Sequence, residues 1–369
     1  MISLEKYDIN IGFVPLTDSA PLIVAKELGF FDKWGLRVNL CKQNSWATLR
    51  DKLHAGVIDA AQMLAPMPIA STLGLSVAPK EVITPLVLSL NGNAITLSEQ
   101  LYLEILQANK LSGITLPMAA YLLQEVVFKR KEAGKDKLKF ANVFPYSCHN
   151  YQLRDWLKSG NLNEKDVEIV IVPPINMVHF LESGEIDGFC VGGPWNAKAV
   201  RAGIGVTALT SYDIWQDSPE KVLGILGEFY QQHPNTVLAM CAALKEACDW
   251  LDSIPNRFEA ARIMCSDEYL DARLDVIAPS LLGSCLTHRN ESPRLIAGYN
   301  QFSGNDNVNQ PALVRGEWLL KQMSQAGQLN DVTVSANTAS QVFRPDIYQQ
   351  MRMLMANVKH NKPLKRALR

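Results

Sequence analysis

Eleven residues, Gly56-Val-Ile-Asp59-Ala-Ala-Gln-Met-Leu-Ala-Pro66, recur in outline as Gly184-Glu-Ile-Asp187-Gly-Phe-Cys-Val-Gly-Gly-Pro194. The Gly, Ile, Asp and Pro are each displaced by 128 positions, Gly56 to Gly184 and Pro66 to Pro194. The repeat extends upstream. In the first copy an apolar run from Ile9 to Val14 ends at Pro15, a helical stretch starts near Ser19, and a strand from Leu36 to Leu40 precedes a helix leading to Gly56. In the second, Leu138 to Phe144 ends at Pro145, a helical stretch runs to Ser159, and Val167 to Val172 leads towards Gly184. Strands alternating with helices predict a mainly parallel sheet in each copy. A proline suits the first turn of the helix that follows. The chain is therefore read as duplicated, with two α/β lobes and a ligand between them. Ligands of such sheets sit beyond the carboxyl ends of the strands, which directs attention to the segments after Pro15, Pro66, Pro145 and Pro194.

At 369 residues there is room for two domains. A composition of 47% hydrophobic and 20% charged residues with a formal net charge of −1 gives no reason to expect nucleic-acid or membrane-surface binding. The basic stretch from Lys359 to Arg369 reads as a solvated tail. The first ten residues carry acidic side chains and no apolar core of the kind a secretion signal needs, and no apolar run reaches membrane-spanning length. Seven cysteines, at 41, 148, 190, 241, 248, 265 and 285, form no paired framework and read as free thiols. The expectation is a cytoplasmic protein.

Enzymatic signatures are missing. There is no phosphate-binding loop, no His-Glu-x-x-His and no Gly-x-Ser-x-Gly elbow, and Gly203-Ile-Gly205 lacks the third glycine of a dinucleotide fingerprint. Cys148-His149 is the one adjacency suggesting a nucleophile and its base, but sequence neighbours rarely face each other for that work. Cys148, His149 and Cys190 match no usual zinc spacing. No catalytic residue, cofactor or metal site is assigned.

The loops singled out by the repeat do carry polar residues. In Thr17-Asp18-Ser19-Ala20-Pro21, Ser19 or Asp18 is expected to cap a helix, and Ser147-Cys148-His149-Asn150 occupies the equivalent place in the second copy. Helix N-termini present free N–H groups, which suits an anion. Trp46 opens a helix after Ser45, and its indole offers one donor and a flat face to a small planar ligand. Asn91-Gly92-Asn93 reads as a turn, and Lys221 in isolation as a solvated surface charge.

Several of these residues lie in motifs that resemble the nitrate- and bicarbonate-binding proteins of bacterial ABC transporters. The motifs are Ile11-Gly-Phe-Val-Pro-Leu-Thr-Asp18, Ala25-Lys-Glu-Leu-Gly-Phe-Phe31, Ser45-Trp46, Ala65-Pro-Met-Pro68, Leu90-Asn-Gly-Asn-Ala-Ile-Thr96, Phe189-Cys-Val-Gly192, Pro194-Trp-Asn196 and Arg344-Pro-Asp-Ile-Tyr348. The resemblance implies the two-lobed, type II periplasmic-binding-protein-like α/β fold, with residues 1–95 and 205–369 in lobe one, C-terminal helices included, and 96–204 in lobe two. It implies a nitrate or nitrite pocket at Trp46, Asn93, His149 and Lys221, with Gly192 and Gly193 beside it. Relatives often carry Gln where Asn93 stands and Glu where Gly193 stands.

Nitrate has no proton to donate near neutral pH, so its pocket should hold donors and positive charge; bicarbonate gains from an acceptor. Trp46, Asn93, His149 and Lys221 can all donate. Three or four charge-assisted hydrogen bonds, less the cost of ordering, could reach micromolar binding, roughly −8 kcal/mol. With no leader in view, the resemblance points further to the NasS-like cytoplasmic branch. Those sensors hold a NasT-like, ANTAR-type RNA-binding antiterminator until nitrate or nitrite releases it. An exported nitrate-binding component of an ABC transporter is the alternative. A thiamine-pyrimidine synthase-like enzyme is the third reading, and it lacks the cysteine-rich motif it would need.

Overall fold

The computed structural model describes residues 3–75, 77–304 and 308–360. The basic tail lies outside them beyond His360. The chain lays down β1 (Asp8–Phe13), β2 (Arg37–Lys42), β3 (Ala60–Leu64) and β4 (Val82–Asn91) in one sheet. It then crosses to a second sheet for β5 (Asn93–Ser98), β6 (Leu138–Asn142), β7 (Val167–Ile171), β8 (Gly188–Gly192) and β9 (Gly205–Thr210). It returns with β10 (Pro219–Leu226), forms a short pair β11 (Ser284–Cys285) and β12 (Arg294–Leu295), and closes the first sheet with β13 (Asn300–Gln301).

Strand order is β13-β4-β10-β3-β1-β2 in the first sheet and β7-β6-β8-β5-β9 in the second. In both, the repeated units form a parallel trio, β2-β1-β3 and β7-β6-β8, and the remaining neighbours are antiparallel. Two lobes built from the repeat are therefore present.

The lobe limits expected at 95 and 205 are shifted. The sheets change over at Gly92 and again between Thr210 and Pro219, so β5 and β9 belong wholly to the second sheet. Asn91-Gly92-Asn93 is more than a turn: with Asn91 at φ +59° and Gly92 at φ +98°, it is where the backbone leaves one sheet for the other. The segment around β11 and β12 also leans on the second lobe, where Thr287 C=O accepts the Thr207 N–H at 2.8 Å and Arg294 pairs with Asp213 at 2.9 Å.

The repeated Gly-x-Ile-Asp has a structural explanation. Gly56 and Gly184 take φ +68° and +75°, a left-handed turn that side chains other than glycine disfavour. Ile58 and Ile186 are buried behind it. The aspartates then fasten the incoming strand: Asp59 accepts the Asn10 N–H at 2.9 Å and Asp187 accepts the Lys139 N–H at 2.7 Å. Pro66 and Pro194 sit directly before the helices Met67–Thr72 and Trp195–Ala202.

All ten residues of β4 are buried, because both faces of the first sheet are covered. On one face Ile9, Ile11, Phe13, Leu86, Leu88 and Leu223 pack against the helices Ala20–Glu27, Pro234–Trp250 and Pro345–His360. On the other, Trp46, Met63, Val87 and Val222 share one apolar cluster with Phe189, Val191 and Val143 of the second lobe. The lobes are thus packed on one another, and the polar residues between them are enclosed.

Candidate functional site

Local sequence brings the four expected polar side chains to the cleft. Ser45 Oγ accepts the Thr48 N–H at 3.2 Å and starts the helix Trp46–His54, which leaves Trp46 in its first turn. Ser147 does the same for the helix Cys148–Ser159, accepting from Asn150 N at 3.1 Å and setting His149 at the helix entrance. Asn93 is the first residue of β5, immediately past the crossover, and Lys221 comes from β10. Trp46, Asn93, His149 and Lys221 are all fully buried.

Lys221 organises the cluster. Its Nζ lies 2.8 Å from Asp18 Oδ2 and 2.8 Å from Glu220 Oε1, and 5.5 Å from the centre of the Trp46 ring, a cation–π distance. Gln62 Nε2 donates to the other Asp18 oxygen at 2.9 Å. Glu220 Oε2 accepts from Asn93 Nδ2 at 2.7 Å, and Glu220 Oε1 is 3.6 Å from His149 Nε2. Asn93 Nδ2 donates a second time, to Gln152 Oε1 at 3.0 Å. Asp18, Gln62, Glu220 and Lys221 belong to the first lobe, and Asn93, His149 and Gln152 to the second.

Neighbouring residues on a regular strand point to opposite faces. Glu220 and Lys221 nonetheless reach the same cluster, because the pairing of β10 with β4 slips between Pro219 and Val222. Such irregularities re-aim side chains.

Several buried polar atoms in the cluster have no partner within the protein: Trp46 Nε1, both ring nitrogens of His149, Gln152 Nε2, Gln62 Oε1 and Asn93 Oδ1. Buried polar groups are nearly always hydrogen-bonded. Unpartnered donors from both lobes, gathered around one ammonium, mark a place for a small polar ligand.

The electrostatics differ from the expected ring of donors. Burial alone would pull the Lys221 ammonium down, but Asp18 and Glu220 outweigh it and hold its pKa above the ordinary value. Burial pushes the Glu220 carboxyl up, against the pull of Lys221. Burial, then Lys221, takes His149 well below the usual imidazole value, so it is neutral near pH 7. The Cys148 thiol is pushed up by burial and donates to Pro219 C=O at 3.1 Å. It is a poor nucleophile in that state. Among the described residues no group of His, Cys, Asp and Glu is arranged to hold a metal ion.

Several sequence readings are corrected. Lys221 is an enclosed ion-paired centre rather than a solvated surface charge. The Asn93 amide hydrogens are committed to Glu220 and Gln152, so the atom it leaves without a partner is its carbonyl oxygen, not a donor. Neither Asp18 nor Ser19 caps the first helix; Asp18 pairs with Lys221, and Ser19 Oγ donates to Leu16 C=O at 2.6 Å. The expectation that the pocket holds only donors and positive charge fails on two carboxylates, Asp18 and Glu220.

The glycines of the second copy lie at the contact between lobes. A Cβ on Gly192 would stand 3.1 Å from Asp18 Oδ2. One on Gly193 would stand 2.5 Å from Ser280 Oγ and 2.7 Å from Thr17 Oγ1, and Gly193 C=O accepts the Thr17 N–H at 2.8 Å. A glutamate could not occupy position 193 in this arrangement without displacing Thr17 and Ser280. Sequence reasoning missed Gln62, Gln152 and Glu220 altogether. Gln152 lies one turn from His149 on the same helix face, the one legible signal among them. A surface pocket of about 730 Å³ beside Tyr151, Arg154 and Gln322 shares no residue with the cluster.

Two α/β lobes enclosing a polar cluster define a protein of the periplasmic-binding-protein-like class. The chain belongs to the NMT1-like family, which it matches over residues 3–265. It is 37% identical over 94% of its length to the nitrate import ATP-binding protein NrtC of Synechocystis sp., and 35% identical over 88% to the bicarbonate transport ATP-binding protein CmpC of the same organism. The chain spans about half the length of these relatives, 50% and 47%. Among solved structures it is similar to the periplasmic nitrate-binding protein NrtA from Synechocystis PCC 6803, with a TM-score of 0.86 and 29% identity, covering 96% of this chain and 90% of that one.

Proposed function

We propose that this chain binds nitrate or nitrite between its lobes, as a solute-binding protein of the NrtA type. The observation that carries the reading is the buried Lys221 with unpartnered donors Trp46 Nε1, His149 and Gln152 Nε2 around it. The names of the relatives support the same ligand. They also favour delivery to an import system over the sensing role expected from the sequence. Co-purification with an ANTAR-domain antiterminator that is lost on adding nitrate would reverse that order.

The two carboxylates favour a second reading, an anion that carries its own proton, such as bicarbonate. An oxyanion about 4 Å from an ionised Glu220 would meet a repulsion of about 4 kcal/mol at an effective dielectric constant of about 20. A ligand O–H donating to that carboxylate would relieve it, and the similarity to a bicarbonate transport protein supports this reading too.

Calorimetry separates the two. Nitrate or nitrite should release or absorb heat with a dissociation constant in the micromolar range, roughly −8 kcal/mol, and sulfate should not. Heat with bicarbonate alone would transfer the assignment to the second reading. No heat with any of these anions would remove both.

A further inference from the structure

Resting on the nitrate reading, we propose that the cleft takes up its anion together with one proton from solution, held by the facing Glu220 and His149. The argument begins with charge. The Lys221 ammonium is at 2.8 Å from each of two carboxylates, so one unit of positive charge faces two of negative. Asp18 is further held by Gln62. Glu220 accepts from Lys221 and Asn93, and it is the carboxylate that also faces an imidazole without a hydrogen-bond partner.

His149 completes the pair. Its Nε2 faces Glu220 Oε1 at 3.6 Å, and neither ring nitrogen has a partner, although the side chain is fully buried. A proton on Glu220 would turn the carboxylate into a donor towards the imidazole or the anion. A proton on the imidazole would give an ion pair with Glu220 and a second N–H for the ligand. Either placement offsets the charge of the entering anion, so the cluster of one ammonium and two carboxylates keeps the net charge it had before. Nitrate, the base of a strong acid, brings no proton of its own, so the proton must come from water; no bond to the ligand forms or breaks.

The other titratable groups facing Glu220 do not compete for this role. Lys221, its neighbour on β10, is already protonated and held so by Asp18 and Glu220 against burial. Asp18, from the Thr17–Ser19 turn, is ion-paired. Cys148 on the adjoining helix and Cys190 on β8 are thiols that burial, and then Glu220, push up. Burial likewise lifts the Glu220 carboxyl above its ordinary value, against the pull of Lys221.

The test uses the full chain and sodium nitrate, titrated between about pH 6 and 9 in phosphate and in Tris, whose protonation heats differ. We expect buffer-dependent heat equivalent to about one proton taken up per nitrate, and a dissociation constant that rises up to about tenfold per pH unit on the alkaline side. The dependence should level off at acid pH, where the free site is already protonated. Glu220→Gln, which carries no charge to neutralise, should flatten the pH profile and remove the buffer-dependent heat. Nitrate binding with the same affinity across this range and the same heat in both buffers would overturn the proton coupling while leaving nitrate as the ligand. Absence of nitrate binding at every pH would instead overturn the reading on which the coupling rests. Since the wild-type chain reports proton uptake by itself, a Glu220→Gln protein that failed to fold would not spare the proposal.

Discussion

In the first copy of the repeat the Asp59 carboxylate fastens β1 through the Asn10 N–H, and in the second Asp187 fastens β6 through the Lys139 N–H. At the other end of the same strands the copies part company. The first presents Asp18 beside Lys221, while the second presents His149 and Gln152 and places Gly192-Gly193 against the first lobe. Duplication has therefore kept the frame and divided the chemistry: the charges of the cluster, Asp18, Glu220 and Lys221, stand on the first lobe with the neutral Trp46 and Gln62, while the second contributes neutral groups alone, Asn93, His149 and Gln152. A ligand between them would meet fixed charge from one side and adaptable hydrogen bonding from the other.

The largest effect should follow from breaking the charged half. Lys221→Met leaves Asp18 and Glu220 buried without their cation, and removing one partner of a buried ion pair costs about 3–5 kcal/mol. His149→Ala, on the neutral half, removes a ring whose nitrogens have no partner in the protein and should cost about 2–4 kcal/mol as a cavity. Urea unfolding would measure both. A smaller loss for Lys221→Met than for His149→Ala would mean that the two lobes do not divide charge and neutrality as described.

Replacing Asp59 or Asp187 by Ala tests the shared frame. Each loses a carboxylate acceptor for a backbone N–H, worth about 1–3 kcal/mol. Asp59 should be the costlier, since it also pairs with Lys6 Nζ at 2.6 Å, though that lysine is half-exposed and adds little. Both lie at the strand starts, away from the cluster. Thermal unfolding should therefore fall for both variants while nitrate affinity stays within about threefold, which is under about 1 kcal/mol. A large affinity change in either would show that the repeated aspartate does more than hold a strand.

Much of this division was legible. The 128-residue displacement revealed the two copies because turn glycines, a buried Ile and a strand-fastening Asp are local requirements, written at fixed spacing. The helices opening at Trp46 and Cys148 were legible through their serine caps. Asp18 was misread because Thr-Asp-Ser before Ala-Pro fits a helix cap as well as a cleft carboxylate, and only the arrival of β10 from more than 200 positions later decides between them. Glu220 was invisible for a different reason: strand alternation puts it opposite Lys221, and the slip in register that reunites them leaves no mark in composition or period. The lobe limits were misplaced because Asn91-Gly92-Asn93 looks like a turn within one sheet, and nothing local says which sheet β5 and β9 join.

The smallest test concerns the two serines that stand 128 positions apart, Ser19 and Ser147. Both hydroxyls donate at 2.6 Å to the carbonyl three residues earlier, Leu16 and Phe144. Only Ser147 also accepts a helix N–H, from Asn150 at 3.1 Å; the first helix has no side-chain cap. Ser147→Ala should lose the cap, about 1 kcal/mol, in addition to what Ser19→Ala loses. The Leu16 carbonyl also accepts the Ser19 N–H at 3.0 Å, so removing the Ser19 hydroxyl leaves no orphaned acceptor and should cost under about 1 kcal/mol. Differential scanning calorimetry of the two variants measures the difference between the copies at its finest grain. Equal shifts would place the divergence entirely in the side chains that face the cleft, and a larger shift for Ser19 would mean that the turn carrying Asp18 relies on that hydroxyl to hold the carboxylate against Lys221.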